Sequence, residues 1–187
     1  MSAIETVTDN IKQAHGHAES HFHNENVTGH YTVNMAFYDD SNFRYQKYGY
    51  PLTANIGDNV YVKVFTDIRD YNIKMRLNDC FTRPTPSAPD NLRFFLIRNG
   101  CPMDPNTHII SQSTHETRFK FQDFEYSTDH DNLYIYCNAR FCSVNDYSYS
   151  CDQACHRNNR RMLKLTGNDT SIETVQTYSV FKQGKRK

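Results

Sequence analysis

Six cysteines carry the clearest chemistry in this chain: Cys80, Cys101, Cys137, Cys142, Cys151 and Cys155. Cysteines can pair into disulfides or, as thiolates, hold a soft metal ion. None lies in the first 79 residues or the last 32. An even number gathered in one region, beside glycosylation sequons, is the pattern of a disulfide framework in an oxidising compartment. A zinc site would have to draw on Cys142, Cys151, Cys155 and His156. Their spacings do not make two paired knuckles, and Cys80, Cys101 and Cys137 would be left over. An intracellular zinc protein with free thiols is the competing class. Spacing alone leaves every disulfide connectivity open.

Three further groups could do chemistry. His15, His17, His21, His23 and His30 include two i, i+2 pairs that could chelate copper or zinc in an extended chain, although such tails are more often simply solvated. Arg157-Asn158-Asn159-Arg160-Arg161 is either an exposed basic loop or an Arg-x-x-Arg convertase site cut after Arg160 or Arg161. Asn26-Val27-Thr28 and Asn168-Asp169-Thr170 are sequons, so Asn26 and Asn168 are candidate glycosylation positions in a secreted protein. No phosphate-cradling glycine pattern occurs among the seven glycines. No nucleophile and base are marked out as a pair, so no enzyme, cofactor or catalytic residue is expected. With 21 basic and 21 acidic residues, the neutral chain offers no reason to expect nucleic acid or an anionic membrane as partner.

The elements that must position these residues read as strands. Tyr31, Val33, Met35 and Phe37 alternate with smaller or polar residues, and so do Val60, Val62 and Val64. The aromatic stretch Arg44 to Tyr50, closed by Pro51, is a further candidate strand. Ile73, Met75 and Leu77 lead into Cys80, and Pro84, Pro86 and Pro89 then forbid regular structure. Phe94 to Ile97 is a continuous apolar run of the kind found in a central strand, and Asn99-Gly100 is a tight turn before Cys101. Phe119, Phe121 and Phe124 mark a further strand, Leu133 to Cys137 another, and Ile172, Val175, Tyr178, Val180 and Phe181 a last one. About seven short strands at regular intervals predict an all-β fold, an immunoglobulin-like β-sandwich stabilised by three disulfides. Residues 1–30 read as a linker or tail in which Ile4, Val7 and Ile11 could make only a marginal helical stripe. The domain division is then 1–30 linker, 31–155 sandwich, 156–170 basic loop, and 171–187 final strand with a basic tail. No run of about 20 apolar residues exists to span a membrane. The N-terminus lacks the basic start and apolar run of a signal peptide, so an extracellular chain of this kind is expected to be a fragment of a longer precursor lacking its leader and any anchor.

The order of motifs resembles the C-terminal subdomain of zona pellucida domain proteins. It runs from Cys80 through the proline loop to Ile97-Arg98-Asn99-Gly100-Cys101-Pro102, then Arg118-Phe119-Lys120-Phe121, then Leu133-Tyr134-Ile135-Tyr136-Cys137 with Cys142, Cys151 and Cys155 close behind. The resemblance covers roughly Tyr31 to Phe181, and it implies the pairs Cys80–Cys137, Cys101–Cys155 and Cys142–Cys151, with a second class known for the later cysteines. It implies maturation by a proprotein convertase in the run containing Arg157, Arg160 and Arg161. A blocking strand of Ile172, Val175, Tyr178, Val180 and Phe181 would then leave, and an extended segment of another zona pellucida domain protein would fill the vacated edge. The expected function is an extracellular structural module that polymerises into filaments or matrix. The alternative is a receptor-ectodomain sandwich that binds a protein or glycan ligand and never polymerises.

Overall fold

A computed structural model describes residues 4–5, 19–21, 31–126, 131–156 and 169–184. In chain order its strands are β1 (Ile4–Glu5), β2 (Glu19–His21), β3 (Asn34–Tyr38), β4 (Gln46–Lys47), β5 (Leu52–Asn55), β6 (Asn59–Phe65) and β7 (Ile73–Arg83). There follow β8 (Phe94–Arg98), β9 (Cys101–Pro102), β10 (His108–Gln112), β11 (Glu116–Gln122), β12 (Asn132–Ser143) and β13 (Glu173–Gly184). The one helical element among the described residues is a 3-10 turn at Asp90–Leu92, inside the proline-rich loop.

The strands form two sheets. One runs β10-β11-β6-β3-β4; the other runs β1-β13-β12-β7-β8-β9, with β2 and β5 also pairing along β13. Period-two alternation turns one face of each sheet inward. Val33, Met35, Phe37, Val60, Val62, Val64, Phe119 and Phe121 come from the first sheet. Met75, Leu77, Ile97, Leu133, Ile135, Phe141, Val175 and Phe181 come from the second. Phe37 meets Phe181 edge to face, with ring centroids 4.6 Å apart, and so joins the two layers. The protein is an all-β sandwich of two sheets carrying three disulfides.

Each disulfide has its own task. Cys80 and Cys137 lie directly opposite each other on β7 and β12, with Cα atoms 4.1 Å apart, and staple two strands of one sheet. Cys101–Cys155 ties β9 to the end of the loop that follows β12. Cys142–Cys151 closes that loop on itself. Asn99 and Gly100, at φ 49° and 77°, make the two-residue turn between β8 and β9. Two consecutive positive φ values fit the primed hairpin turns, where glycine is favoured. A side chain at Gly100 would also press on the Arg76 guanidinium, 3.3 Å from the position of its Cβ.

Some elements differ from the sequence expectation. Phe94–Arg98 is not central: β8 has β7 on one side and only the two-residue β9 on the other, and Phe94 and Arg98 are exposed. Aromatic residues between Arg44 and Tyr50 give only the short β4, leaving Tyr45 and Tyr48 mostly in solvent. Ile4 lies in a strand, not a helical turn. An isolated turn of helix gains few hydrogen bonds, whereas the edge of β13 supplies a ready ladder. No helix among the described residues is long and apolar enough to cross a membrane.

Candidate functional site

β13 lies beside β12 in an uninterrupted antiparallel register, from Glu173 opposite Phe141 to Lys182 opposite Asn132. Its other edge is covered in three pieces. β2 pairs with Thr174–Gln176, β1 with Tyr178 and Ser179, and β5 runs parallel to Phe181–Gly184. From Thr177 to Phe181 every residue is buried. This chain-terminal element therefore occupies the position of an inner strand.

What the strand presents to the core is less apolar than what surrounds it. Opposite residues in an antiparallel pair share a face. The core-facing residues of β12 are Leu133, Ile135, Cys137, Ala139 and Phe141, and opposite them on β13 stand Phe181, Ser179, Thr177, Val175 and Glu173. Ser179, Thr177 and Glu173 are buried and polar. The Thr177 hydroxyl is buried without a hydrogen-bond partner. Glu173 accepts a hydrogen bond from the Tyr31 amide at 3.0 Å, and the Tyr31 ring stacks on Phe141 at 4.8 Å. On the opposite face Tyr178 stacks on Tyr136 at 5.1 Å, and Val180 joins the same cluster. Ile172 precedes the strand and donates its amide to the Phe141 carbonyl at 2.7 Å.

The entry to β13 is held by a polar clasp built on the Cys142–Cys151 loop. Asp146 in that loop accepts hydrogen bonds from the Thr170 amide at 2.7 Å, the Thr170 hydroxyl at 2.5 Å and the Ser148 amide at 2.8 Å. Burial pushes the Asp146 carboxyl up, but the bonds from Ser148 and Thr170 outweigh it and hold the group at about 2. Asp169 accepts from the Ser171 amide and hydroxyl and lies 3.7 Å from the Arg140 guanidinium. Burial raises the Asp169 carboxyl as well, and the Ser171 hydrogen bonds turn the net shift downward. The loop is tied down in turn. Lys74 donates to the Asp146 carbonyl and lies over the Tyr147 ring, and Arg76 donates to the Asp152 carbonyl at 2.9 Å. This clasp gave no signal in the sequence, because its parts are common polar residues that only the closed loop brings together.

Of the residues singled out from sequence, the structure brings the six cysteines together as three pairs and places Val175, Tyr178, Val180 and Phe181 in one buried strand. Arg157, Arg160, Arg161, Asn26 and Asn168 lie outside the described residues, as do His15, His17, His23 and His30. His156 lies 2.7 Å from Asp152. Cys142, Cys151 and Asp146 are close in space, but both sulfurs are committed to a disulfide and neither offers a thiolate to a metal.

The family model for the ZP-C domain of zona pellucida proteins matches residues 27–156. The pancreatic secretory granule membrane major glycoprotein GP2 of Canis lupus familiaris is 27% identical over 138 residues, 71% of this chain and 26% of that protein. Alpha-tectorin of Gallus gallus is 29% identical over 133 residues, 69% of this chain and 6% of that protein. The chain thus matches 26% of the length of the first of these relatives and 6% of the second. Among solved structures, murine CRIg superposes with a TM-score of 0.39 at 10% identity, covering 85% of this chain and all of that one.

Proposed function

The chain belongs to the zona pellucida family as its ZP-C domain, and on that premise we propose that it is an extracellular assembly module whose last strand is a removable plug. The observation that carries this reading is the state of β13. The strand is buried like a core strand, yet every cysteine of the chain precedes it, so no disulfide holds it. Its covalent link to the stapled sandwich is the segment 157–168, which contains Arg157, Arg160 and Arg161. A proprotein convertase cutting after Arg160 or Arg161 leaves the strand held by noncovalent contacts alone.

Departure of Ile172, Val175, Tyr178, Val180 and Phe181 uncovers the long edge of β12. An open edge of unpaired amides and carbonyls takes up an extended segment from another chain, by backbone hydrogen bonds that need no particular sequence. Side-chain alternation then fixes the register. The partner is another zona pellucida domain protein, or a second copy of this one, and the product is a filament or matrix. Asn26 and Asn168 are the glycosylation positions in this scheme.

The test is light scattering on the chain before and after convertase digestion, alone and mixed with a second zona pellucida domain protein. The expected result is a stable uncut monomer and a cut chain that sheds its C-terminal fragment and associates. A cut chain that sheds the fragment, stays monomeric and binds a soluble ligand supports the receptor-ectodomain alternative instead. A cut chain that keeps its fragment removes the basis of the reading.

A further inference from the structure

The outer face of the β13-β12-β7-β8 sheet carries a feature the assembly reading does not use. Four rings cross the strands in a row: Phe95, Phe81, Tyr136 and Tyr178. Their centroids are 5.6, 5.3 and 5.1 Å apart in that order. Three arginines lie over this row. Arg83 sits 5.5 Å from the Phe81 centroid and 5.6 Å from that of Tyr136. Arg93 is 5.2 Å from Phe81 and 5.5 Å from Phe95, and Arg98 is 4.8 Å from Phe95.

An arginine over a ring is held flat by attraction between the cation and the ring face. The Arg83 fork is turned back on the protein, donating to the Pro86 and Ala88 carbonyls, each at 3.4 Å, and to Asp90, so the donors offered to a ligand are chiefly those of Arg93 and Arg98. Among the described residues Asp90 is the carboxylate in ion-pair reach of this group, 3.2 Å from Arg83 and 3.4 Å from Arg93. The Nε groups of Arg83 and Arg93 are buried without a hydrogen-bond partner. Three positive charges against one negative charge form a local excess on a chain with no net charge.

We propose that this face binds a linear sulfated polysaccharide. Sulfate groups accept the paired N–H donors of a guanidinium as carboxylates and phosphates do, and such charge-assisted pairs are among the stronger polar contacts. The row runs across neighbouring strands, which lie roughly 5 Å apart. Its cations are therefore closely spaced along a line and match a chain that repeats its charge at short intervals.

The test is retention of the intact chain on immobilised heparin across a salt gradient, with fully desulfated heparin and polyglutamate as comparison surfaces. Arg93→Ala and Arg98→Ala are the informative variants; Arg83→Ala also uncovers Phe81 and Tyr136, and is read only if its thermal unfolding is unchanged. Each of the two informative substitutions is expected to weaken heparin binding about tenfold and to flatten its salt dependence. Arg98→Lys should retain part of the affinity, because the charge stays while the flat fork is lost. Lys63→Ala, which removes a cation stacked on Phe65 on the other sheet, should change nothing. Equal retention on desulfated heparin overturns the proposal. So does tighter retention on polyglutamate, which would make the partner an acidic protein. Unchanged binding by the Arg93→Ala, Arg98→Ala double variant also overturns it, and would assign any retention to the basic runs at Arg157–Arg161 and Lys185–Lys187.

Discussion

Replacing Thr177 with valine should make the last strand harder to remove. Thr177 is fully buried, faces Cys137 across the ladder and projects into the core between Val175 and Ser179. Its hydroxyl has no hydrogen-bond partner. Threonine and valine have nearly the same shape, so Thr177→Val exchanges an unsatisfied oxygen for a methyl group and leaves no cavity. Burying a hydroxyl without a partner costs about 1–3 kcal/mol on protein mutational scales. Removing that cost should favour the seated strand by the same amount, and each 1.4 kcal/mol is about a tenfold change in an equilibrium. After digestion in the Arg157–Arg161 run, the variant should shed its fragment at least about fivefold more slowly than the parent. The assay follows the fragment by intact mass over time, with uncut samples as controls. Equal or faster shedding from the variant, with the uncut fold intact, would refute the idea that buried polar groups on β13 are what make it removable.

Phe181→Ala deletes the ring that meets Phe37 from the opposite sheet; a loss of about 3–5 kcal/mol is expected in urea unfolding of the uncut chain. Cys142→Ser with Cys151→Ser opens the loop that carries the clasp. By chain entropy a ring of this separation is worth about 2–3 kcal/mol, so thermal unfolding should fall and fragment release should quicken. Asp146 titrates at about 2 in the folded chain against an ordinary 3.8. Its contribution is fully present above that ordinary value and is lost as pH falls towards 2. Urea titrations from pH 5 to pH 2 should therefore show stability declining, and Asp146→Asn should reduce the slope, by about 1 kcal/mol once solvent screening is allowed for.

The inward faces were legible in the sequence because one-sided burial leaves a clean alternation. Val33, Met35 and Phe37, and Val60, Val62 and Val64, declare their strands without outside help. β8 was less legible because its run of apolar residues has two causes: Leu96 and Ile97 face the core, while Phe95 belongs to the outer ring cluster. β10 has no buried residue to mark it and was not seen. The pairings of β1, β2 and β5 with β13 rest on backbone groups, which carry no side-chain signature. The final strand itself was read from Val175, Tyr178, Val180 and Phe181, but the meaning of Thr177 and Ser179 emerges only once their neighbours are known. The clasp was hidden for the same reason, since Asp146 and Thr170 are far apart in sequence and meet only because a disulfide closes the loop between β12 and β13.

Hydrogen exchange on the amides of Asn132–Phe141, compared between uncut chain and chain cut in the Arg157–Arg161 run, addresses the plug most directly. If β13 leaves on cutting, the β12 amides that pointed at it exchange freely, those bonded to β7 stay protected, and a synthetic peptide of residues 171–184 restores the lost protection. Full protection of β12 in the cut chain after its fragment has been removed, or a peptide that restores nothing, would contradict the account.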